Sequence, residues 1–318
     1  MTSGVSKGLA SRDPVLAWLL KGDPAIRWQV FRDLLGRPAK EWRTEQARVA
    51  SEGWGARVLR HQDRDGRWTP RLYGRKWVST TYSMVVLRQL GLPPDDPRAA
   101  ISCRLFLEEG LWRDGGIRVE TGKERSETCV TGMVLGLLAW FKITDPRREQ
   151  LVGYLLDQQL DDGGWNCERD RGATHGSFHT TINVLEGLRD YVEVRGPRAA
   201  AVQRAETRGR EFFLRHHLYR SHRTGRIVDS RFTRFSFPPR WRHDVLRTLD
   251  YFQASAAPFD TRLEDPLGVL QSKRAKDGRW MLQNRHPGAT FFEMETVGKP
   301  SRWNTLRALR VLKWYQNS

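Results

Sequence analysis

The feature that most restricts what this chain can fold into is a turn, Asp-Gly-x-Trp, that returns at a nearly fixed interval. It stands in "QDRDGRW" at 62–68, in "QLDDGGW" at 159–165 and in "KRAKDGRW" at 273–280, with a weaker copy, "WRDGGI", at 112–117. The aspartates are residues 65, 114, 162 and 277, so the steps are 49, 48 and 115, and the last spans two units with a degenerate copy near "TGRIVD" at 224–229. A period of about fifty residues is the mark of a repeat architecture in which one supersecondary unit is stacked many times.

Each turn is followed by an apolar run at helical spacing: "TTYSMVVLRQLGL", "ETCVTGMVLGLLAW", "HTTINVLEGL", "HDVLRTLDYF" and "WNTLRALRVLKWY", with "AIRWQVFRDLLG" as an earlier run that lacks the turn. Leu and Val lie on nearly every side of these segments, the pattern of a helix buried all round. More polar segments such as "PRREQLVGYLLDQQL" separate them and read as amphipathic outer helices. The unit is therefore an outer helix, a glycine turn and an inner helix, and about six such hairpins account for the chain. Strand-like alternation is scarce, so the expected class is all-α, with residues 1–318 forming one domain and residues 1–12 a flexible N-terminus. Periodicity alone leaves a closed ring and an open solenoid equally possible.

Composition narrows the environment. The longest apolar run, Val130 to Phe141, falls short of the roughly 18 residues a membrane span needs, and no cleavage signal follows the N-terminal apolar patch. The cysteines, Cys103, Cys129 and Cys167, are odd in number and widely spaced, which does not suggest a disulfide framework and fits a reducing cytoplasm. The formal charge is +17 with a pI near 10.4, carried by 44 Arg against 10 Lys and dispersed along the chain. Such an excess favours an anionic partner, although dispersed arginine is also what a GC-rich coding sequence produces.

The motif "QxxDGGW" resembles the glutamine-tryptophan repeat of squalene and oxidosqualene cyclases, and the same hairpin builds the β subunits of protein prenyltransferases. The resemblance covers residues 13–316 and implies an α/α toroid, an α6-α6 barrel whose central cavity is lined by the starts of the inner helices. The turn glycines Gly66, Gly163 and Gly278 and the tryptophans Trp68, Trp165 and Trp280 are read as structural. Squalene cyclases protonate an alkene with an Asp-x-Asp-Asp motif; this chain has none, so a polyene cyclase working by that route is not expected.

Aligning the inner helices on Leu87, Leu135, Leu185, Leu249 and Leu309 places Thr81, Cys129, His179, His243 and Trp303 at one equivalent position, facing a common centre if the ring closes. "SETC" followed by "FHT" resembles the zinc motif of prenyltransferase β subunits, with Glu in place of Asp. The resemblance implies a zinc ion held by Glu127, Cys129 and His179, Cys167 being a possible fourth ligand and His175 lying beside the same helix start. The alternative is that Cys129 is a small core residue and His179 a helix cap.

A second polar group comes from Lys76 and Thr81, from Arg240, His243 and Asp244, and from Arg302 and Trp303. Arginines and aromatics at helix N-termini suit a ligand with an anionic head and an apolar body, whereas Thr80, Asp244 and Asn304 equally suit caps. The expected function is a toroid that binds an isoprenoid-like or other amphiphilic anionic molecule, such as a diphosphate, as a zinc-dependent, prenyltransferase-like transferase, with a partner protein chain possible. The alternative is a non-catalytic basic toroid that binds a protein or nucleic acid, for which the chain offers no recognised nucleic-acid module.

Overall fold

The computed structural model describes residues 13–74, 76–119 and 124–317. Residues 1–12, for which a flexible arm is expected, lie outside them. The described chain is α-helical: α1 Pro14–Leu20, α2 Pro24–Gln29, α3 Ala39–Ala47, α4 Gly53–Leu59, α5 Thr80–Leu90, α6 Pro97–Leu105, α7 Thr128–Trp140, α8 Arg148–Asp157, α9 Phe178–Glu193, α10 Ala199–Arg215, α11 Val245–Ala254, α12 Glu264–Ser272 and α13 Arg302–Gln316. Extended pairing among the described residues is limited to isolated bridges.

Three helices start on Asp-Pro. Asp13, Asp23 and Asp96 each accept a backbone N–H from the first turn of α1, α2 or α6, while the proline fills a position whose N–H would have no partner. Five of the six inner helices, α5, α7, α9, α11 and α13, are reached through the longer loops that carry the turns or their degenerate copy, and α2 follows α1 directly.

The recurring turn is a bonding unit. Its tryptophan donates Nε1–H to an outer-helix carbonyl ten residues earlier: Trp68 to Val58, Trp165 to Leu155 and Trp280 to Leu270, at 2.7–2.8 Å. The backbone N–H at the same position donates to a threonine hydroxyl inside the following inner helix, Trp68 to Thr80, Trp165 to Thr181 and Trp280 to Thr305, and in the weaker copy Ile117 to Thr131. The glutamine of the motif reaches sideways: Gln159 Nε2 donates both to Gly163 O within the turn and to Ala205 O of the next outer helix. Gly163 has φ +88°, and a Cβ there would stand 2.3 Å from the carbonyl oxygen of Arg208, so this glycine permits both the left-handed backbone and the close approach. Trp165 and Trp280 are fully buried. The motif is thus structural, clamping an outer helix, its inner helix and the neighbouring repeat together.

Six hairpins result: α1/α2, α4/α5, α6/α7, α8/α9, α10/α11 and α12/α13, with α3 as an additional outer helix. The inner helices pack side by side in the pairs α5/α7, α7/α9 and α11/α13, α2 is tied to α5 by Trp28 Nε1 donating to Leu90 O and α9 to α11 by Arg247 donating to Glu186, and α13 packs against α2 and the π-helical turn Val30–Leu34 that follows it. Arg310 Nη1 donates to Gln29 Oε1 at 2.9 Å, Lys313 Nζ to Asp33 O at 2.9 Å and Arg302 Nε to Trp18 O at 3.2 Å. These bonds join residues more than 270 positions apart. The array is therefore closed, an α/α toroid and not an open solenoid. The tightest contact in the ring is between α7 and α9, where a Cβ on Gly187 would stand 2.1 Å from the carbonyl oxygen of Gly132.

No described helix is long and apolar enough to cross a membrane.

Candidate functional site

The interior of the ring has two compartments. Between α10 and α11 the chain runs through Phe235, Phe237 and Arg240, and this segment forms a plug. It is pinned by Gln283, whose N–H donates to Phe235 O and whose Oε1 accepts the Phe235 N–H, and by Asn304 Nδ2 donating to Phe235 O. Below it Arg307 Nη1 donates to Ser236 O, and Arg247 Nη1 to the carbonyls of Arg240 and Arg242. Phe237 stacks on Trp303 with ring centroids 3.9 Å apart. One compartment lies at the starts of the inner helices, the other along their later turns.

Of the residues singled out in the sequence, the first compartment, the mouth, brings together Lys76, His179, Arg240 and His243. Arg240 is only 8% exposed, and its guanidinium lies 5.4 Å from the centroid of Trp77. No carboxylate of the described residues forms an ion pair with it, and burial lowers its pKa to about 10. Beside it Arg242 stacks on Trp241 at 4.4 Å, with Lys76 over the same ring at 6.0 Å. The Nε of Arg242 is buried without a hydrogen-bond partner. His286, which the sequence reading missed because no repeat register marks the segment between Trp280 and α13, borders the pockets of both arginines. Burial, reinforced by Arg242 and Arg240, lowers its pKa to about 3. A cavity of about 140 Å³ is lined by His179, Asp229, Arg231, Arg242, His286 and neighbours. A smaller apolar pocket of about 20 Å³ joins Arg240 to Val58, Trp77, Val86, Phe291, Phe292 and Met294.

Other predicted residues have different partners. The Thr81 hydroxyl donates to Leu72 O at 2.7 Å. His243, 3% exposed, precedes the N-cap of α11 by one residue, whereas Cys129, His179 and Trp303 lie two residues inside the caps Glu127, Ser177 and Ser301. The alignment on leucines therefore misplaced His243: its Nε2 meets Leu218 O at 2.8 Å and its Nδ1 meets the Thr248 hydroxyl at 2.9 Å. Asp244 caps α11, accepting the Arg247 N–H, and its other oxygen accepts from Ser236. Arg302 stacks on Trp18 at 4.4 Å and shares no pocket with Arg240.

The thiols of Cys129 and Cys167 are brought together. Cys167 Sγ accepts the Cys129 N–H at 3.3 Å and the Thr180 hydroxyl at 3.5 Å, and the Cys129 thiol bonds to it as well, which lowers the Cys167 pKa and raises that of Cys129. Glu127 occupies the N-cap position of α7, two residues before Cys129, without a side-chain capping bond. His179 is turned elsewhere: its Nδ1 accepts the His243 N–H at 2.9 Å, and its ring packs edge-on against Phe232 and Trp241. Burial, followed by Arg242, lowers its pKa to about 4. His175 lies on the exposed side of its loop. Among the described residues no three His, Cys, Asp or Glu side chains are grouped to hold a metal ion. This arrangement, with His179 turned to the His243 N–H, does not fit the three-ligand zinc set of Glu127, Cys129 and His179.

The second compartment, the lumen, is a cavity of about 390 Å³. Its wall carries six arginines, Arg32, Arg88, Arg189, Arg247, Arg307 and Arg310, and five carboxylates, Asp33, Glu186, Asp190, Glu193 and Asp250. The inner helices α9, α11 and α13, expected to be apolar all round, thus carry a charged stripe toward the axis.

No protein-family model matches the chain, and no curated protein matches it. Among solved structures it is similar to a protein from Actinoplanes, with 17% identity, a TM-score of 0.47 and coverage of 93% of this chain and 90% of that one. It also resembles the type II terpene cyclase MstE from Scytonema, at 12% identity and a TM-score of 0.34, covering 76% of this chain and 82% of that one. A variant of the same cyclase in complex with its product, merosterolic acid A, gives 12% identity, a TM-score of 0.34 and coverage of 86% and 97%. Likenesses of this size carry no weight for function. The assignment to the α/α toroids rests on the closed ring of hairpins itself.

Proposed function

We propose that this toroid binds a small amphiphile whose anionic head enters the mouth and whose apolar part lies along the aromatic wall beside it. The observation that carries the reading is Arg240, a nearly buried cation on the face of Trp77 that forms no ion pair among the described residues, Glu293 acting on it only at longer range. Holding an arginine out of water without a counter-charge is costly, and a cation–π contact of about 0.5–2 kcal/mol offsets only part of that cost. An anion arriving between Arg240 and Arg242 supplies the missing charge and gives the orphaned Nε of Arg242 an acceptor. Neutral His179 and His286 add imidazole groups to the same mouth without further positive charge.

The apolar pocket beside Arg240 is small, so a chain enters it only as Phe291, Phe292 and Met294 give way. These residues lie on an irregular segment between Trp280 and α13, which makes that displacement inexpensive compared with moving a helix. Isothermal titration with farnesyl phosphate and with farnesol tests the reading. The phosphate ester is expected to bind at least about tenfold tighter than the alcohol, the difference shrinking about tenfold in Arg240→Met and less in Arg240→Lys, in line with roughly 1.5–3 kcal/mol for a hydrogen bond to a charged group. Equal affinities for ester and alcohol, or an unaffected Arg240→Met, would remove it.

A further inference from the structure

The lumen behind the plug has a chemistry different from that of the mouth. Each acid in its wall is already engaged: Asp33 by Arg32 and Arg310, Asp190 by Arg88 and Arg189, Asp250 by Arg307 and Arg310, Glu186 by Arg247, and Glu193 by Arg189 at 3.8 Å. The carboxylates hold the guanidinium groups in fixed orientations around the cavity, and one positive charge is left over from six arginines and five acids. Asp250 illustrates the balance. Burial pushes its carboxyl up, but Arg310 and Arg307 outweigh burial and keep it below the ordinary range, so it stays ionised.

Three buried polar atoms on lumen-lining residues have no hydrogen-bond partner: the Nε of Arg88, the indole Nε1 of Trp303 and the Oε1 of Gln89. Trp303 is only 2% exposed. Unmade hydrogen bonds by buried groups are uncommon in native proteins and mark a place where a partner is missing. Two of the three are donors and one is an acceptor, so a molecule that met all three from the lumen would offer at least two acceptor oxygens and one donor. The cavity volume falls in the range of small-molecule sites, roughly 300–1,000 Å³. A hydrocarbon chain in this wall would cover the polar surface of the ion pairs without replacing the water it displaced.

We propose that the lumen is a second binding site, separate from the mouth, for a compact oxyanion, a carboxylate or phosphate carried on a small skeleton that bears a hydroxyl or amine. The Trp303–Phe237 stack and the backbone of the plug form its floor, with Arg88 and the indole N–H of Trp303 donating to the oxyanion. The Gln89 side-chain oxygen accepts from the hydroxyl or amine. Arg247, which lines the lumen and donates to the carbonyls of Arg240 and Arg242, is a hydrogen-bonded link between the two compartments.

The test uses the full chain and probes without an apolar tail, so its outcome does not depend on the mouth: inorganic phosphate, glycerol 3-phosphate, malate and citrate, each against sodium chloride at equal ionic strength, read by titration calorimetry and thermal shift. At least one probe is expected to bind saturably with a Kd below about 1 mM. Phosphate esters binding without the acids would assign the oxyanion to a phosphate, and the reverse to a carboxylate. Arg88→Met is expected to weaken the bound probe about tenfold, and Trp303→Phe, which keeps the stack and removes only the donor, about three- to tenfold. Arg204→Gln, an exposed charge change on α10, should leave binding intact. If no probe exceeds the salt control, or if wild type and Trp303→Phe bind a probe equally, the lumen site is refuted while the mouth stays open to its own test.

Discussion

At the residue scale, the histidines show how little of a side chain's role follows from its type. His243, His179 and His286 sit within one neighbourhood, and all three are held neutral by burial among arginines. The backbone N–H that His179 Nδ1 accepts fixes its tautomer with the proton on Nε2. Because these folded-state pKa values lie below the unfolded value of about 6.5, the unfolded chain binds more protons between the two. Stability is fully present above pH ~6.5 and falls as the pH drops toward the folded values. With His243, His179 and His286 each contributing up to ~1.4 kcal/mol per pH unit, urea unfolding at pH 5.0 is expected to give about 3–5 kcal/mol less stability than at pH 6.5. His243→Asn should have a shallower pH dependence, and parallel curves for the two proteins would contradict it. Nothing in the sequence distinguished these roles. "RWRHD" and "SFHT" present both histidines at helix starts, and only the packed structure engages both ring nitrogens of His243 while His179, on the same cavity, uses Nδ1 alone among the hydrogen bonds described.

At the scale of the element, the turn and its two helices were legible because the interactions that make them are local. Tryptophan to outer-helix carbonyl is a span of ten residues, glutamine to turn glycine a span of four, and both repeat with the sequence period. The motif's Gly163 is under two constraints, positive φ and contact with Arg208, whereas Gly172, outside the motif at the end of the short helical turn Arg169–Arg171, is under only one: φ is +90° and a Cβ would meet nothing within 4 Å. Gly172→Ala is therefore expected to cost about 1–2 kcal/mol, the ordinary penalty for a left-handed non-glycine residue. Gly163→Ala should cost about 2–4 kcal/mol, since the backbone of α10 must also shift, as measured by chemical denaturation; equal costs would mean that the α10 contact yields easily. What the elements concealed was the charged stripe. Arg88 on α5, Asp190 on α9, Asp250 on α11 and Arg307 and Arg310 on α13 are polar residues among the apolar positions of inner helices, and each alone reads as a tolerated exception. The usable signal was their recurrence on successive inner helices, since a polar group in a buried helix is more informative than an apolar one.

At the scale of the whole molecule, closure is a property that no single repeat encodes. The period is compatible with a solenoid. What joins the ends is Arg310 on the last helix, which is paired with Asp250 at 2.5 Å and Asp33 at 3.2 Å and donates to Gln29 at 2.9 Å. Asp250 comes from the preceding inner helix, whereas Asp33 and Gln29 come from the first, so one guanidinium spans the seam. Because it also lines the lumen, the same residue couples ring closure to the cavity. Removing one partner from a buried ion pair typically costs about 3–5 kcal/mol, since the other charge is left uncompensated. Arg310→Met should therefore destabilise the fold by about that amount, less whatever Arg307 recovers by remaining on Asp250. The effect should also be uneven. In a closed ring with a weakened seam, hydrogen exchange is expected to accelerate first in α2, the Val30–Leu34 turn and α13, while α7 and α9, locked by the Gly132–Gly187 contact, keep their protection. Uniform loss of protection would mean that the ring opens only by global unfolding, and unchanged exchange at the seam would mean that the apolar contacts of α13 hold the ends together without Arg310.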